Sequence, residues 1–490
     1  MLTAGWSDDT EDVVFVMNDG QVHLYSMFGI FKSTFSMGQE AKDVKLKSAK
    51  IFPSLKGTGV AVLTTQNNFY VVQNTLEPRC RKLPMPDCGV SDPNSWCPLA
   101  RDKQERLLVA GDKGEGIVLL SLTDKTVLEG LEVLSSANCK FLVTSPSQAR
   151  ACAVLDNGLV CLVEIEPGAA RRIIRTHDMG EVPRHVVWCG EEAVLLVGSF
   201  MTTFLHASGE TDPIFFDDPP LCVVQELDGV RILCAGSHQL IHKVAKSVQE
   251  LCMIGSVHPG TMLLMASHEV GMKSHKADEY IRMIQDRGHD CLPRAVSDCI
   301  SAAGELFNPD HQKEFLKAAK FGTAFLKAEE RATTRNFYET CKMLKIRNNV
   351  RHNKVGIPLT QHQLEAMSIK VLIDRLIARR HFKLALEVAD FLKLAPGEGA
   401  SRVKAHWALY KVETSGQDDA AVDKEISQQL QQDPDISYSD IAERAAECKK
   451  PKLAQLLLEH EMRAHKRVPL LMKLAQDEPN GNDFAANALK

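Results

Sequence analysis

The sequence predicts two regions of different class: a β-propeller of about six blades, the first incomplete, followed by an α-solenoid of helix hairpins. Three observations predict this. Apolar residues alternate with period two up to about residue 245 and recur with period 3.6 beyond it. Hairpin signals return every ~40–50 residues in the first half, the spacing of propeller blades. The charge also changes at the same place. Residues 1–240 hold 21 Lys and Arg against 30 Asp and Glu, whereas 241–490 hold 37 against 33. The expected domains are therefore an acidic propeller over 1–245 and a mildly basic solenoid over 246–490, the latter incomplete at its C-terminal end.

The strongest hairpins are VVFVM-NDG-QVHLYS (13–26) and ACAVL-DNG-LVCLVEI (151–165). In both, Asn, Asp and Gly tolerate the positive φ of a tight turn between apolar runs. Weaker copies lie at 60–73, 106–122, 193–206 and 230–244, so the turns fall near 19, 67, 113, 157, 199 and 236. Little strand material precedes the first hairpin. Its blade is expected to lack a strand, as if upstream residues were missing, and the strand at 12–18 to open easily for want of a neighbour.

Helices are expected at 274–288, 295–307, 311–326, 337–350 and 359–380, the last capped by Thr360. Within them, RLIARRHFKLALEVADFL (375–392) is echoed by RAAECKKPKLAQLLLEHE (444–461). Arg375 and Arg444 match, and Lys-Leu-Ala recurs at 383–385 and 452–454, all at an offset of 69 residues. That offset equals two helix hairpins of ~35 residues, as in solenoid arrays.

Chemistry-bearing motifs are missing from the sequence. It has no G-x-x-x-x-G-K-[ST] loop, no G-x-S-x-G elbow and no H-E-x-x-H pair. GDKGEG (111–116) sits between two strands and reads as a blade turn rather than a phosphate cradle. His258, His268, His275 and His289 lack Cys or carboxylate partners at ligand spacing, so they read as solvated or capping residues, and no metal or cofactor is expected. Arg171-Arg172 invites comparison with phosphoinositide-binding propellers, but the flanking AARRIIRTHDMG lacks the Phe before and the Gly after. The 14 cysteines include no C-x-x-C and read as small hydrophobes in a reduced, cytosolic protein. No apolar run approaches ~20 residues, and the N-terminus does not read as a signal peptide. The charge is too even for nucleic acid. Arg375, Arg379, Arg380 and Lys383, spaced as on one helix face, are the candidate contacts for an acidic partner.

Several longer strings carry a resemblance. DGQVHLY with FSMG (35–38), QELDGVRIL (225–233), SHKADEYIRMIQ (274–285), VGIPLTQHQ (355–363), HWALYKV (406–412), ISYSDIAERA (436–445) and VPLLMK (468–473) occur in family order. Across nearly its whole length the chain resembles the vacuolar protein sorting-associated protein 16 family, the class C core subunit of the HOPS and CORVET tethers. The resemblance implies a non-enzymatic scaffold for vesicle docking and SNARE-mediated fusion, in endosome-to-lysosome transport and autophagy. It implies other class C subunits and a Sec/Munc-type fusion regulator as partners, with SNAREs engaged indirectly. Localisation would be cytoplasmic, and peripheral on late endosomes and the lysosome or vacuole. Relative to that family, the chain lacks sequence before GWSDD and stops at ANALK. The regulator docks further along the family's solenoid, so no contact residue is carried over. Competing readings are a lone propeller–solenoid effector binding anionic lipid, a coat-like scaffold, and a hydrolase with an unfamiliar motif.

Overall fold

The computed structural model describes residues 1–83, 95–101, 104–110, 117–121, 125–127, 137–165, 173–198, 201–327, 331–430, 433 and 435–477. GDKGEG and Arg171-Arg172 lie outside these residues.

The first half is a succession of antiparallel sheets, each a meander. Sheet 1 holds β1 (Thr3–Trp6), β2 (Asp12–Val16), β3 (Gln21–Ser26) and β4 (Phe31–Ser36); a short helix, α1 (Gln39–Asp43), follows. Sheet 2 holds β5 (Leu46–Ser54), β6 (Gly57–Thr64), β7 (Phe69–Val72) and β8 (Arg81–Lys82). Sheet 3 holds β9 (Ser95–Arg101), β10 (Gln104–Ala110), β11 (Ile117–Ser121) and β12 (Lys125–Val127). Sheet 4 holds β13 (Cys139–Thr144), β14 (Arg150–Leu155), β15 (Leu159–Glu164) and β16 (Ile173–Asp178). Sheet 5 holds β17 (His185–Cys189), β18 (Ala193–Val197), β19 (Thr202–His206) and β20 (Thr211–Ile214). Sheet 6 holds only β21 (Cys222–Gln225), β22 (Gly229–Leu233) and β23 (His238–His242). Among the described residues this is a β-propeller-like array with five four-stranded blades and a three-stranded sixth.

The first blade is not the incomplete one. β1 pairs with β2 from Thr3–Val16 to Trp6–Val13, so β2 has a neighbour on each side. The expectation of an easily opened strand at 12–18 therefore loses its premise, the missing neighbour. TAGW was illegible because two small residues leave no alternating apolar signal.

Consecutive sheets pack face to face. Val14, Val22 and Leu24 of sheet 1 meet Val60 and Val62 of sheet 2. Phe69 meets Trp96 edge-on at 5.3 Å between sheets 2 and 3. Further along, Cys97 and Leu108 meet Ala153 and Leu155, Val154 and Leu162 meet Trp188 and Val194, and Leu195 meets Val230 and Ile232. A middle sheet such as sheet 4 thus buries both faces, which is why ACAVL reads as a continuous apolar run. The turns use the residues the sequence advertised. Gly20 (φ 77°) and Gly158 (φ 86°) stand in the left-handed region, and a Cβ at Gly20 would come within 2.9 Å of the Ala41 Cβ. A cavity of about 600 Å³ lies among the first strands of sheets 1 to 4, with Gln225 of sheet 6 on its lining.

Helices follow: α2 (Lys246–Cys252), α3 (Pro259–Gly271), α4 (Lys276–Gln285), α5 (Cys291–Glu305), α6 (Pro309–Thr323), α7 (Arg331–Arg351) and α8 (Gln361–Ala366). Beyond these lie α9 (Ile369–Ala378), α10 (Phe382–Leu392), α11 (Ala400–Thr414), α12 (Asp419–Leu430), α13 (Tyr438–Glu447), α14 (Pro451–Glu459) and α15 (Ala464–Asp477). The strands end at His242 and the helices begin at Lys246, but compactness divides the chain elsewhere. One unit comprises 1–352 with 356–366, the other 353–355 with 367–490.

In the first unit, Leu263, Ala266, Ile284, Val296, Cys299, Phe315 and Ala319 form the core of α3 to α6. His258 caps α3, its Nδ1 accepting from the Gly260 N–H at 3.2 Å. The helix expected over 359–380 is broken into α8 and α9. Thr360 does cap α8, in a reciprocal box: the Gln363 N–H donates to Thr360 Oγ1 (3.1 Å) and the Thr360 N–H to Gln363 Oε1 (3.4 Å). Ser368 then starts a new helix, accepting from the Val371 N–H. The box is also the joint to the last blade. Thr360 Oγ1 donates to Asp228 at 2.5 Å, and Gln363 Nε2 donates to Glu226 (2.7 Å) and Asp228 (2.8 Å). Arg231, paired with Glu226, reaches the Pro358 carbonyl at 3.2 Å.

Candidate partner-binding site

In the second unit the 69-residue echo is a structural repeat. α9 and α10 begin at 369 and 382, and α13 and α14 begin at 438 and 451, each offset by 69. Both hairpins turn on a basic residue in the left-handed region, Arg380 (φ 65°) and Lys449 (φ 61°). Arg380 donates its N–H to the Ile377 carbonyl and His381 to Leu376; Lys449 donates to Ala446 and Lys450 to Ala445. This is the paired closure that ends helices, filled here by Arg and Lys rather than the usual Gly. Ala385 and Ala454 are fully buried, as are Leu453 and Leu457.

That turn separates the four sequence-predicted contacts, which do not share a helix. Arg375 lies on α9, half-buried and already engaged. Arg379 caps α9 and donates from Nη1 to the Val355 carbonyl at 2.7 Å. Arg380 sits in the turn, and Lys383 is exposed on the first turn of α10. A helix break with no Gly or Pro at the turn leaves little to read in the sequence.

Arg380 and Lys383 open on one groove of about 480 Å³, lined also by His381, Phe382, Leu384, Glu387 and Trp407. The Arg380 guanidinium lies 4.8 Å from the centre of the Tyr410 ring, and that ring packs on Phe382 at 5.6 Å. Stacking on an aromatic face uses the flat side of the guanidinium and leaves its N–H edge available to a carboxylate. Below the groove, Arg402 grips the buried Asp374 through two hydrogen bonds of 2.6 and 2.8 Å, fixing α11 against α9. Burial, with Arg402 adding, pushes the His406 imidazole below its ordinary value of 6.5. Sequence reasoning missed Phe382, Trp407 and Tyr410. The three-residue spacing of Trp407 and Tyr410, which puts both on one helix side, was the available signal.

Among the described residues, no group of three His, Cys, Asp or Glu could hold a metal ion, and no helix is long and apolar enough to cross a membrane.

Two family models match the chain, "Vps16, N-terminal region" over residues 1–334 and "Vps16, C-terminal region" over 436–480. The chain belongs to the Vps16 family. A Vps16 homolog of Drosophila melanogaster is 30% identical over 97% of this chain and 56% of its own length. The Dictyostelium discoideum homolog is 29% identical over 96% and 55%, and the Arabidopsis thaliana protein VACUOLELESS1 is 28% identical over 98% and 56%. The chain thus spans about half the length of the curated relatives it matches. The β-propeller domain of Myceliophteria thermophila Cps50 is a loose structural likeness: TM-score 0.37, 10% identity, over 49% of this chain and 82% of that one.

Proposed function

We propose that this chain is a non-enzymatic scaffold subunit of a HOPS- or CORVET-type tether. It would support vesicle docking and SNARE-mediated fusion on the way to the lysosome or vacuole, and autophagosome–lysosome fusion. The observation that carries this reading is the match to vacuolar protein sorting relatives along nearly the whole chain. The architecture suits the task, because a solenoid of hairpins offers a long surface built from repeated units. Its partners would be the other class C subunits and a Sec/Munc-type fusion regulator, with membranes reached peripherally through the complex. Arg375, Arg379, Arg380 and Lys383 were the sequence candidates for partner contact. Of these, Arg380 and Lys383 are the pair that faces a groove.

Affinity purification of the tagged chain from cells, with mass spectrometry, tests the assignment. Class C subunits in stoichiometric amounts are expected. Recovery of the chain without them, together with strong flotation on liposomes rich in anionic lipid, would replace the scaffold reading with the lipid-effector one.

A further inference from the structure

We propose that the groove between the α9–α10 turn and α11 is a receptor for a short acidic peptide segment that inserts one bulky apolar side chain. The inference extends the partner-contact reading of Arg380 and Lys383, but it rests on the groove's own chemistry and not on membership of a tethering complex.

Charge is the first argument. Arg380 and Lys383 stand three residues apart at the groove, against the single acid Glu387. Among the described residues no carboxylate pairs with Arg380 or Lys383, whereas Arg402 is paired with Asp374 and Arg444 with Glu413 and Glu447. Arg402 and Arg444 thus have carboxylate partners inside this unit, whereas among the described residues the two cations at the groove mouth have none.

Preorganisation is the second. Long cationic side chains ordinarily lose rotamer freedom on binding. Arg380, though exposed, is positioned over Tyr410, which is itself packed on Phe382, so part of that cost is met before binding. Its in-plane N–H fork is the part left to engage, and a fork matches a carboxylate by two parallel hydrogen bonds.

Size and lining are the third. A volume near 480 Å³ admits one or two side chains, too little for a folded domain to enter. Phe382, Leu384 and Trp407 supply apolar surface beside the cations, so a peptide with acidic residues flanking a Leu or Phe satisfies both. A membrane fits less well. Two unpaired cations are fewer than stable adsorption to an anionic surface uses.

Peptide display tests this. A random 12-residue library is selected on the full 490-residue chain and, in parallel, on the R380E/K383E double variant, with circular dichroism and melting curves confirming that both are folded. The enriched peptides are then synthesised with a fluorophore and titrated by anisotropy. Selection on the parent chain is expected to enrich Asp- and Glu-rich peptides with a Leu or Phe. Their affinity should fall at least tenfold in R380E/K383E and in W407A, weaken between 50 and 300 mM salt, and stay unchanged in K320E, an exposed lysine on α6. Enrichment of peptides without acidic residues, no enrichment, or equal binding by parent and R380E/K383E would each overturn the proposal. So would pelleting with phosphatidylserine vesicles that R380E/K383E abolishes while peptide binding is untouched. Each of these outcomes is independent of whether class C subunits co-purify, so either reading can fail alone.

Discussion

Replacing Asp228 by Ala should loosen the joint between the last blade and α8 while leaving the blades themselves intact. The Asp228 carboxylate accepts from Thr360 Oγ1 at 2.5 Å and from Gln363 Nε2 at 2.8 Å. A hydrogen bond to a charged acceptor contributes roughly 1.5–3 kcal/mol. Two would suggest about 3–6 kcal/mol, but the loss is smaller. Asp228 is half-buried, so water can replace part of what is removed, and Gln363 keeps its bond to Glu226 at 2.7 Å. We expect about 2 kcal/mol, which at 1.4 kcal/mol per tenfold corresponds to about 30-fold more frequent opening. Hydrogen exchange reads it directly, at the Ile357 N–H bonded to the Val350 carbonyl and the Leu364 N–H bonded to Thr360. Both amides should exchange about 30-fold faster in D228A, with α4 unchanged. Asp228→Asn keeps an acceptor and should fall between the two, which guards against a D228A chain that folds poorly. Exchange over 356–366 in D228A within threefold of the parent would refute the reasoning, since the box would then be held by its own capping bonds and not by the blade.

Three further outcomes follow from single positions. Lys449 is exposed and left-handed (φ 61°), so Lys449→Gly should stabilise the second unit by about 1 kcal/mol, read as a higher denaturant midpoint; a lower midpoint would show that the lysine's charge at the helix end outweighs the strain. Glu305 has its carboxyl raised above the ordinary 4.5, mainly by burial, with Asp228 and Glu365 adding and Arg347 and His242 opposing. A raised acid contributes stability that is fully present below its unfolded value and is lost as pH climbs through the folded one. Melting temperature should therefore decline from about pH 4.5 upward in the parent and decline less in E305Q, and parallel curves would exclude Glu305 as the cause. Burial pushes the Cys97 and Cys139 thiols up to about 12, so at pH 8 iodoacetamide should modify exposed Cys222 first and leave those two intact until the chain unfolds; early labelling of Cys97 would mean that sheets 3 and 4 open readily.

The parts of the fold that were legible are those where one local signal suffices. The NDG and DNG turns announce their hairpins because Gly20 and Gly158 need a positive φ. The period of 3.6 over 274–288 places Ala277, Ile281 and Ile284 on the buried face of α4. The illegible parts are decided by tertiary contact. TAGW becomes a strand because β2 offers it a ladder, and the break at 379–381 occurs where Arg380 accepts a left-handed backbone so that α10 can fold back beside α9. The groove shares this origin. Its cations stood out as a run in the sequence, yet only the break turns Arg380 and Lys383 toward Trp407 and leaves Arg379 on the Val355 carbonyl.

The strings that carried the family resemblance divide in the same way. QELDGVRIL and VGIPLTQHQ lie about 130 residues apart, and their polar residues meet: Asp228 with Thr360, Glu226 with Gln363, and Arg231 with the Pro358 carbonyl. The polar residues of these two strings thus form a joint between the last blade and the helices. HWALYKV differs. It gives Trp407 to the groove lining and Tyr410 to the ring beneath Arg380, while Ala408 and Val412 of the same string are buried in the core of α11 to α15. This string therefore both packs a core and lines an exposed groove on one helix. Substitutions there should be separable by face: Ala408→Leu should overpack the core and lower stability by about 1–3 kcal/mol. Trp407 is half-buried and also packs against that core, so Trp407→Ala should lower stability too, but it alone should weaken peptide binding at the groove; unchanged peptide affinity in a folded W407A chain would mean that Trp407 serves the core and not a binding face.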